Sequence, residues 1–325
     1  MSADSAMDEF YDAELNDVVM RAFSRLRQRL QMAGASLSAR TVEWMHALSG
    51  GDRPETYYVH PFAFPMLLIP WWLERVIRGD ADRDFQTDVA YSTLNGYYFV
   101  RMIDDLMDAE PRPAAQVLPA LVFFHTEFQH AYFAHFPHRH GFWRDFAAVS
   151  FASAEMASRD AGLLDVERAQ FLAICSRKVA GAKVPIAAVC HKYEQAELLA
   201  PWFDLVDRFG RWHQMLNDVL DWSRDLDHQR HTYFLSEAIR RKERTESVAE
   251  WVIRDGLSWG RGELDQWADE LAARARELGS PDLVGYVERR RRAAADHWEQ
   301  LTPSLASLAR LASAMRAAQR EGGGP

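Results

Sequence analysis

The chain has 325 residues, 48% of them hydrophobic, and carries 47 acidic against 38 basic side chains for a net charge of −9. That acidity argues against nucleic acid as the main partner, since phosphate backbones recruit Lys and Arg, but leaves room for a small anionic substrate held through metal. Two cysteines, Cys175 and Cys190, are too few for a disulfide scaffold and read as reduced core thiols.

The first residues, MSADSAMDEFYDAELND, are acidic and lack the apolar core of a signal peptide. The longest apolar run, Pro61–Trp72, is too short to span a membrane and is broken by prolines. A cytoplasmic protein without a transmembrane segment is expected. Apolar residues recur at three- and four-residue spacing almost throughout, which predicts helices. In chain order they cover 14–33, 35–48, 64–78, 84–107, 114–136, 143–161, 165–180, 184–192, 198–225, 233–242, 245–255, 262–278, 281–298 and 303–320. The stops are turn-forming clusters: Gly50–Pro54, the EPRP after Met107, and Gly279–Pro281. No internal repeat or low-complexity linker divides the chain, so a single all-α domain over 1–325 is expected, with flexible tails at 1–13 and 321–325.

Two acidic stretches stand out. In DDLMD, Asp104 and Asp108 lie one turn apart on one helix face, about 6 Å along the axis. Two carboxylates so placed repel unless a cation sits between them. The same stripe runs back through Val100 or Arg101 to Tyr97. In NDVLDWSRDLDHQRHTYF, Asn217, Asp221 and Asp225 recur every four residues, a stripe about 12 Å long. These are hard oxygen donors, the set that suits Mg²⁺ with water and substrate phosphate completing its shell. Asp105 and Asp218 face elsewhere and are expected in salt bridges or in support of the ligands. The run Arg289–Arg292 reads as a solvated helix face. Either acidic motif alone is weak; the pair in this order is a stronger signal.

With both motifs in view, the chain resembles the class I isoprenoid synthases, which include prenyl diphosphate, squalene/phytoene and class I terpene synthases. DDLMD looks like their first aspartate-rich motif. Asn217, Asp221 and Asp225 fit the spacing of the second terpene synthase motif, with Asp in place of its Ser/Thr and Glu. The same stretch is similar to the prenyl synthase pattern DDxxDxxxDLxxGKxT, with Arg230 in place of the Lys and followed by Thr232. Lys178, thirty-nine residues before Asn217, stands where prenyl synthases carry a diphosphate-binding Lys. Gly181 and Pro185 resemble the helix break that turns a carbonyl toward a carbocation, with Lys183 a second basic residue nearby. Two departures are plain: no Arg-Arg pair follows the first motif, and the C-terminal Arg-Tyr pair of many terpene synthases is missing.

The resemblance implies a helical bundle around a central cavity and a cluster of three Mg²⁺ ions, for which Mn²⁺ can substitute. Asp104, Asp108, Asn217, Asp221 and Asp225 would be its ligands. Lys178, Arg224 and Arg230 would contact the diphosphate of a prenyl substrate, with Tyr97 and Gly181 beside the prenyl chain. Asp104, Asp108, Lys178 and Arg230 would form the catalytic set. The activity expected first is that of a terpene synthase, ionising an allylic diphosphate and cyclising the cation. The alternative is a prenyltransferase that joins prenyl units or alkylates an acceptor. Homodimers are common in the family.

Overall fold

The computed structural model describes residues 11–60, 62–107, 115–160 and 165–300, all helices and connecting turns with no strand among them. Asp108 and the helix expected over 303–320 lie outside the described residues. The helices are α1 (Ala13–Ala33), α2 (Ala35–Ser49), α3 (Leu68–Arg78), α4 (Arg83–Met107), α5 (Ala120–His130), α6 (Phe142–Asp160), α7 (Arg168–Lys178), α8 (Lys183–Lys192), α9 (Leu199–Leu220), α10 (Trp222–Asp227), α11 (Tyr233–Arg241), α12 (Val248–Trp251) and α13 (Leu257–Glu277). A further helix, α14, covers 281–300.

In α1 the residues Leu15, Val18, Val19, Ala22, Phe23, Leu26 and Leu30 form one buried stripe, and the Asp12 side chain caps the helix by accepting from the Leu15 N–H at 2.8 Å. Residues 11–13, within the stretch expected to be a flexible tail, are anchored here. Tyr11 is buried and its hydroxyl donates to the Tyr58 carbonyl at 3.2 Å. The opposite pattern marks α8, where Val184 through Cys190 are buried on every side. A helix apolar all round belongs at the centre of a bundle, and α8 packs against α3, α4, α6 and α9. Cys175 and Cys190 are both free and buried.

Three predicted boundaries differ for physical reasons. The helix expected over 198–225 divides at Asp221, where the backbone (φ −94°, ψ 4°) leaves the helical region between α9 and α10. The i to i+4 bonds still run across the junction, Asp221 N–H to Asn217 O at 2.8 Å and Asp225 N–H to Asp221 O at 2.9 Å, so the stripe of three donors survives. The predicted helices leave 256–261 as a connection, yet α12 runs through a π turn, Val252–Gly256, directly into α13. There the glycines serve packing: a Cβ on Gly256 would lie 2.6 Å from the Trp251 ring, and one on Gly260 2.8 Å from Val219. Lastly, α5 ends at His130 and tightens into a 3₁₀ turn, Ala131–Ala134.

Candidate active site

Asp104 of the first acidic motif lies in the last turn of α4, and Asn217 of the second in the last turn of α9. The element that touches both of these helices is the broken one between them: α7, the 3₁₀ turn Ala180–Ala182, and α8. The break expected at Gly181 is therefore present. It follows Val179, whose backbone (φ −94°, ψ 7°) departs from the helix. Gly210 on α9 allows the close approach, since a Cβ there would stand 2.6 Å from Val179 Cγ2 and 3.0 Å from the Cys175 carbonyl oxygen.

On α4, Asp104 is exposed, while Asp105 is buried and pairs with Arg101 at 2.8 Å. That pairing is the salt bridge expected of Asp105. Tyr97 is packed among Tyr57, Tyr58 and Tyr98, with ring centroids 5.4, 5.3 and 5.6 Å away. Burial raises its phenol well above the ordinary range, so it is a neutral ring in an aromatic cluster.

The second stripe combines donors with cations. Asp221 is half-exposed and accepts from Arg224 at 2.8 Å. Asp225 is buried, which raises its carboxyl, and Arg230 opposes that shift from 3.9 Å. Arg230 leaves a turn whose preceding residue, Gln229, has φ +55°, and Thr232 then caps α11 by accepting from the Leu235 N–H. Two of the cations expected to hold diphosphate thus lie beside two of the acids expected to hold metal. Asp218 faces inward, takes a hydrogen bond from Gln214 at 2.8 Å, and is pushed up to about 7 by burial, against the pull of Gln214 and the charge of Lys178. Lys178 itself is exposed at the end of α7. Lys183 forms an ion pair with Asp207 at 2.6 Å, which ties the start of α8 to α9.

Among the described residues no three His, Cys, Asp or Glu side chains stand together as a metal cluster. What the structure brings together is the half-set Asn217, Asp221 and Asp225 on one continuous backbone stripe; Asp104 belongs to a separate helix. The donors of that half-set are hard oxygens, partly open at a helix end and balanced by cations, which fits Mg²⁺. A cleft between α9, α13 and α14, walled by Trp212, Leu216, Leu264, Ala268 and Trp298, includes neither acidic motif. It is not the central cavity that the resemblance implies.

One structural feature beside the candidate ligands escaped the sequence. Arg290, within the run read as solvated, is 1% exposed. It donates to the carbonyls of Phe62 and Ala63, to the Tyr286 hydroxyl at 2.8 Å, and to His213 Nδ1 at 3.1 Å. His213 is held down to about 3 by burial and by the charge of Arg290. The other ring nitrogen of His213 lies 3.5 Å from the Asn217 amide. A His four residues before a candidate ligand was the legible half of this signal; the arginine's burial was not legible.

Solved structures share this architecture. The geranylgeranyl pyrophosphate synthetase of the archaeon Geoglobus acetivorans matches with a TM-score of 0.63 at 14% identity, over 87% of this chain and 96% of that one. A polyprenyl synthase of Caulobacter crescentus, solved with calcium and isoprenyl diphosphate, gives 0.63 at 17% identity, over 90% and 97%. The heptaprenyl diphosphate synthase of Staphylococcus aureus gives 0.63 at 12% identity, over 86% and 98%. No protein-family model and no curated protein matches the sequence. At these identities the likeness is one of fold: this chain has the all-α fold of these prenyl synthases.

Proposed function

We propose that the protein is a Mg²⁺-dependent enzyme that ionises an allylic prenyl diphosphate and transfers the prenyl group to a second molecule. The observation that supports the reading is the fold shared with prenyl-chain synthases, together with the stripe Asn217, Asp221 and Asp225 where α9 ends. Those neighbours favour prenyl transfer over the cyclisation expected first from the sequence. Asp104 and Asp108 on one side, and Asn217, Asp221 and Asp225 on the other, are the residues that would hold Mg²⁺. Bound there, the ion supplies positive charge that stabilises the departing diphosphate. Arg224 and Arg230 exchange their present carboxylate partners for diphosphate oxygens, and Lys178 adds a third cation. The apolar bundle around α8 keeps water from the prenyl cation.

Cyclisation is the second reading. It is favoured by Asn217 at the head of the second motif, by the break at Ala180–Ala182, and by the missing Arg-Arg pair. Incubation with C10 to C25 allylic diphosphates and Mg²⁺, with and without isopentenyl diphosphate, separates the two by mass spectrometry. Product only with the second substrate supports transfer; a hydrocarbon or alcohol from one substrate supports cyclisation. Asp104→Ala and Asn217→Ala are each expected to abolish turnover with the helical CD spectrum intact, and EDTA to do the same. Turnover surviving EDTA would remove the metal-dependent reading altogether.

A further inference from the structure

We propose that Arg290, acting through His213, fixes the side-chain amide of Asn217 so that its oxygen is presented to metal; this rests on the reading of Asn217 as a ligand. The argument begins with charge. A guanidinium is always protonated and has donors only. Arg290 is 1% exposed, and among the described residues no carboxylate pairs with it. Its charge rests on two carbonyls, a hydroxyl and an imidazole, with the rings of Phe209 and Trp212 at 5.3 and 5.0 Å. Such a cation fixes its surroundings, because every group in contact must accept.

His213 meets Arg290 through Nδ1 at 3.1 Å, so Nδ1 must carry the lone pair. The ring is then the neutral tautomer with its proton on Nε2. Nε2 faces the Asn217 amide, whose Nδ2 is the near atom at 3.5 Å. Two N–H donors cannot share a hydrogen bond, so the amide turns over and offers Oδ1 to Nε2–H. That oxygen has two lone pairs. One accepts from His213 and the other stays open to a hard cation, while Nδ2 points away. An outer donor on a ligating oxygen orients it, as in other metal sites. Arg290 and His213 are positioning residues here, and the chain of contacts joins α14 and the 62–63 segment to the end of α9.

The tautomer is read directly. Long-range ¹H–¹⁵N correlation on ¹⁵N-histidine-labelled protein is expected to show His213 protonated at Nε2; protonation at Nδ1 overturns the proposal. Metal affinity is read with Mn²⁺, by loss of the free-ion EPR signal. His213→Phe is expected to weaken Mn²⁺ binding about 10- to 100-fold with the CD spectrum retained. Arg290→Lys, which still donates to Nδ1, is expected to keep both the tautomer and near-native affinity, whereas Arg290→Met loses both. If Arg290→Met does not fold, His213→Phe and the tautomer decide. Asn217→Ala separates two failures. Loss of Mn²⁺ in Asn217→Ala with native affinity in His213→Phe defeats the relay alone; native affinity in Asn217→Ala defeats the metal assignment beneath it.

Discussion

Gly210 and Gly181 both lie at the junction of α9 with the broken helix, and they make opposite demands. A Cβ on Gly210 would stand 2.6 Å from Val179 Cγ2 and 3.0 Å from a backbone oxygen, with a stiff β-branched side chain on one side. Gly210→Ala is therefore expected to destabilise by about 1–3 kcal/mol in urea titration, and adding Val179→Ala to recover part of that loss. Gly181 meets nothing within 4 Å and has no positive φ. Gly181→Ala should leave the melting temperature unchanged or raise it slightly, by reducing unfolded-chain entropy. Its place in the break comes from the chain path, and a marked loss of stability in Gly181→Ala would show that argument to be wrong.

At the scale of elements, the join between α9, α10 and α11 decides where the cations stand. Gln229 holds φ +55°, a conformation that glycine adopts without strain. Gln229→Gly is expected to gain up to about 1 kcal/mol in folding stability. If the native turn is what aims Arg230 at Asp225, the variant should bind inorganic diphosphate as the parent does. A stabilised variant with weakened diphosphate binding would mean that the Gln229 side chain itself contributes. The same logic explains why α12 and α13 join through a π turn: tight packing over Gly256 and Gly260 outweighs the tendency of glycine to end a helix.

Across the whole molecule, two polar clamps tie α1 and α4 to α5 and to His135, which ends the 3₁₀ turn after it. Glu127 accepts from Arg29 and, at 2.5 Å, from the Tyr91 hydroxyl. Asp88 takes Arg25 and His135, the latter at 2.7 Å. Burial alone would raise both carboxyls, but the hydrogen bonds outweigh it and leave both below their ordinary 4.5 and 3.8. A carboxyl lowered in the folded state contributes stability that is complete above its unfolded value and is lost as pH falls through the folded one. Unfolding free energy should therefore drop on acidification below pH 4.5. Glu127→Gln is expected to cost about 1–3 kcal/mol at pH 7, and the gap from the parent should narrow as pH falls through that range. A gap independent of pH would remove the carboxylate from the explanation.

What the sequence by itself determined was periodic and local. The three- and four-residue spacing gave the helices, and a spacing of four put Asn217, Asp221 and Asp225 on one stripe. Those features follow from helix geometry, which needs no partner. The tertiary structure decided whatever depends on what lies opposite a side chain. It placed Arg290 inside the bundle although its neighbours in sequence are also arginines, because carbonyls, an imidazole and aromatic faces surround that one position. It joined α12 and α13 across a stretch expected to be a connection, with Gly256 and Gly260 as contact points, and it placed Tyr97 in an aromatic cluster. Burial and hydrogen-bond partnership are properties of pairs distant along the chain, and a one-dimensional pattern does not encode which pairs will meet.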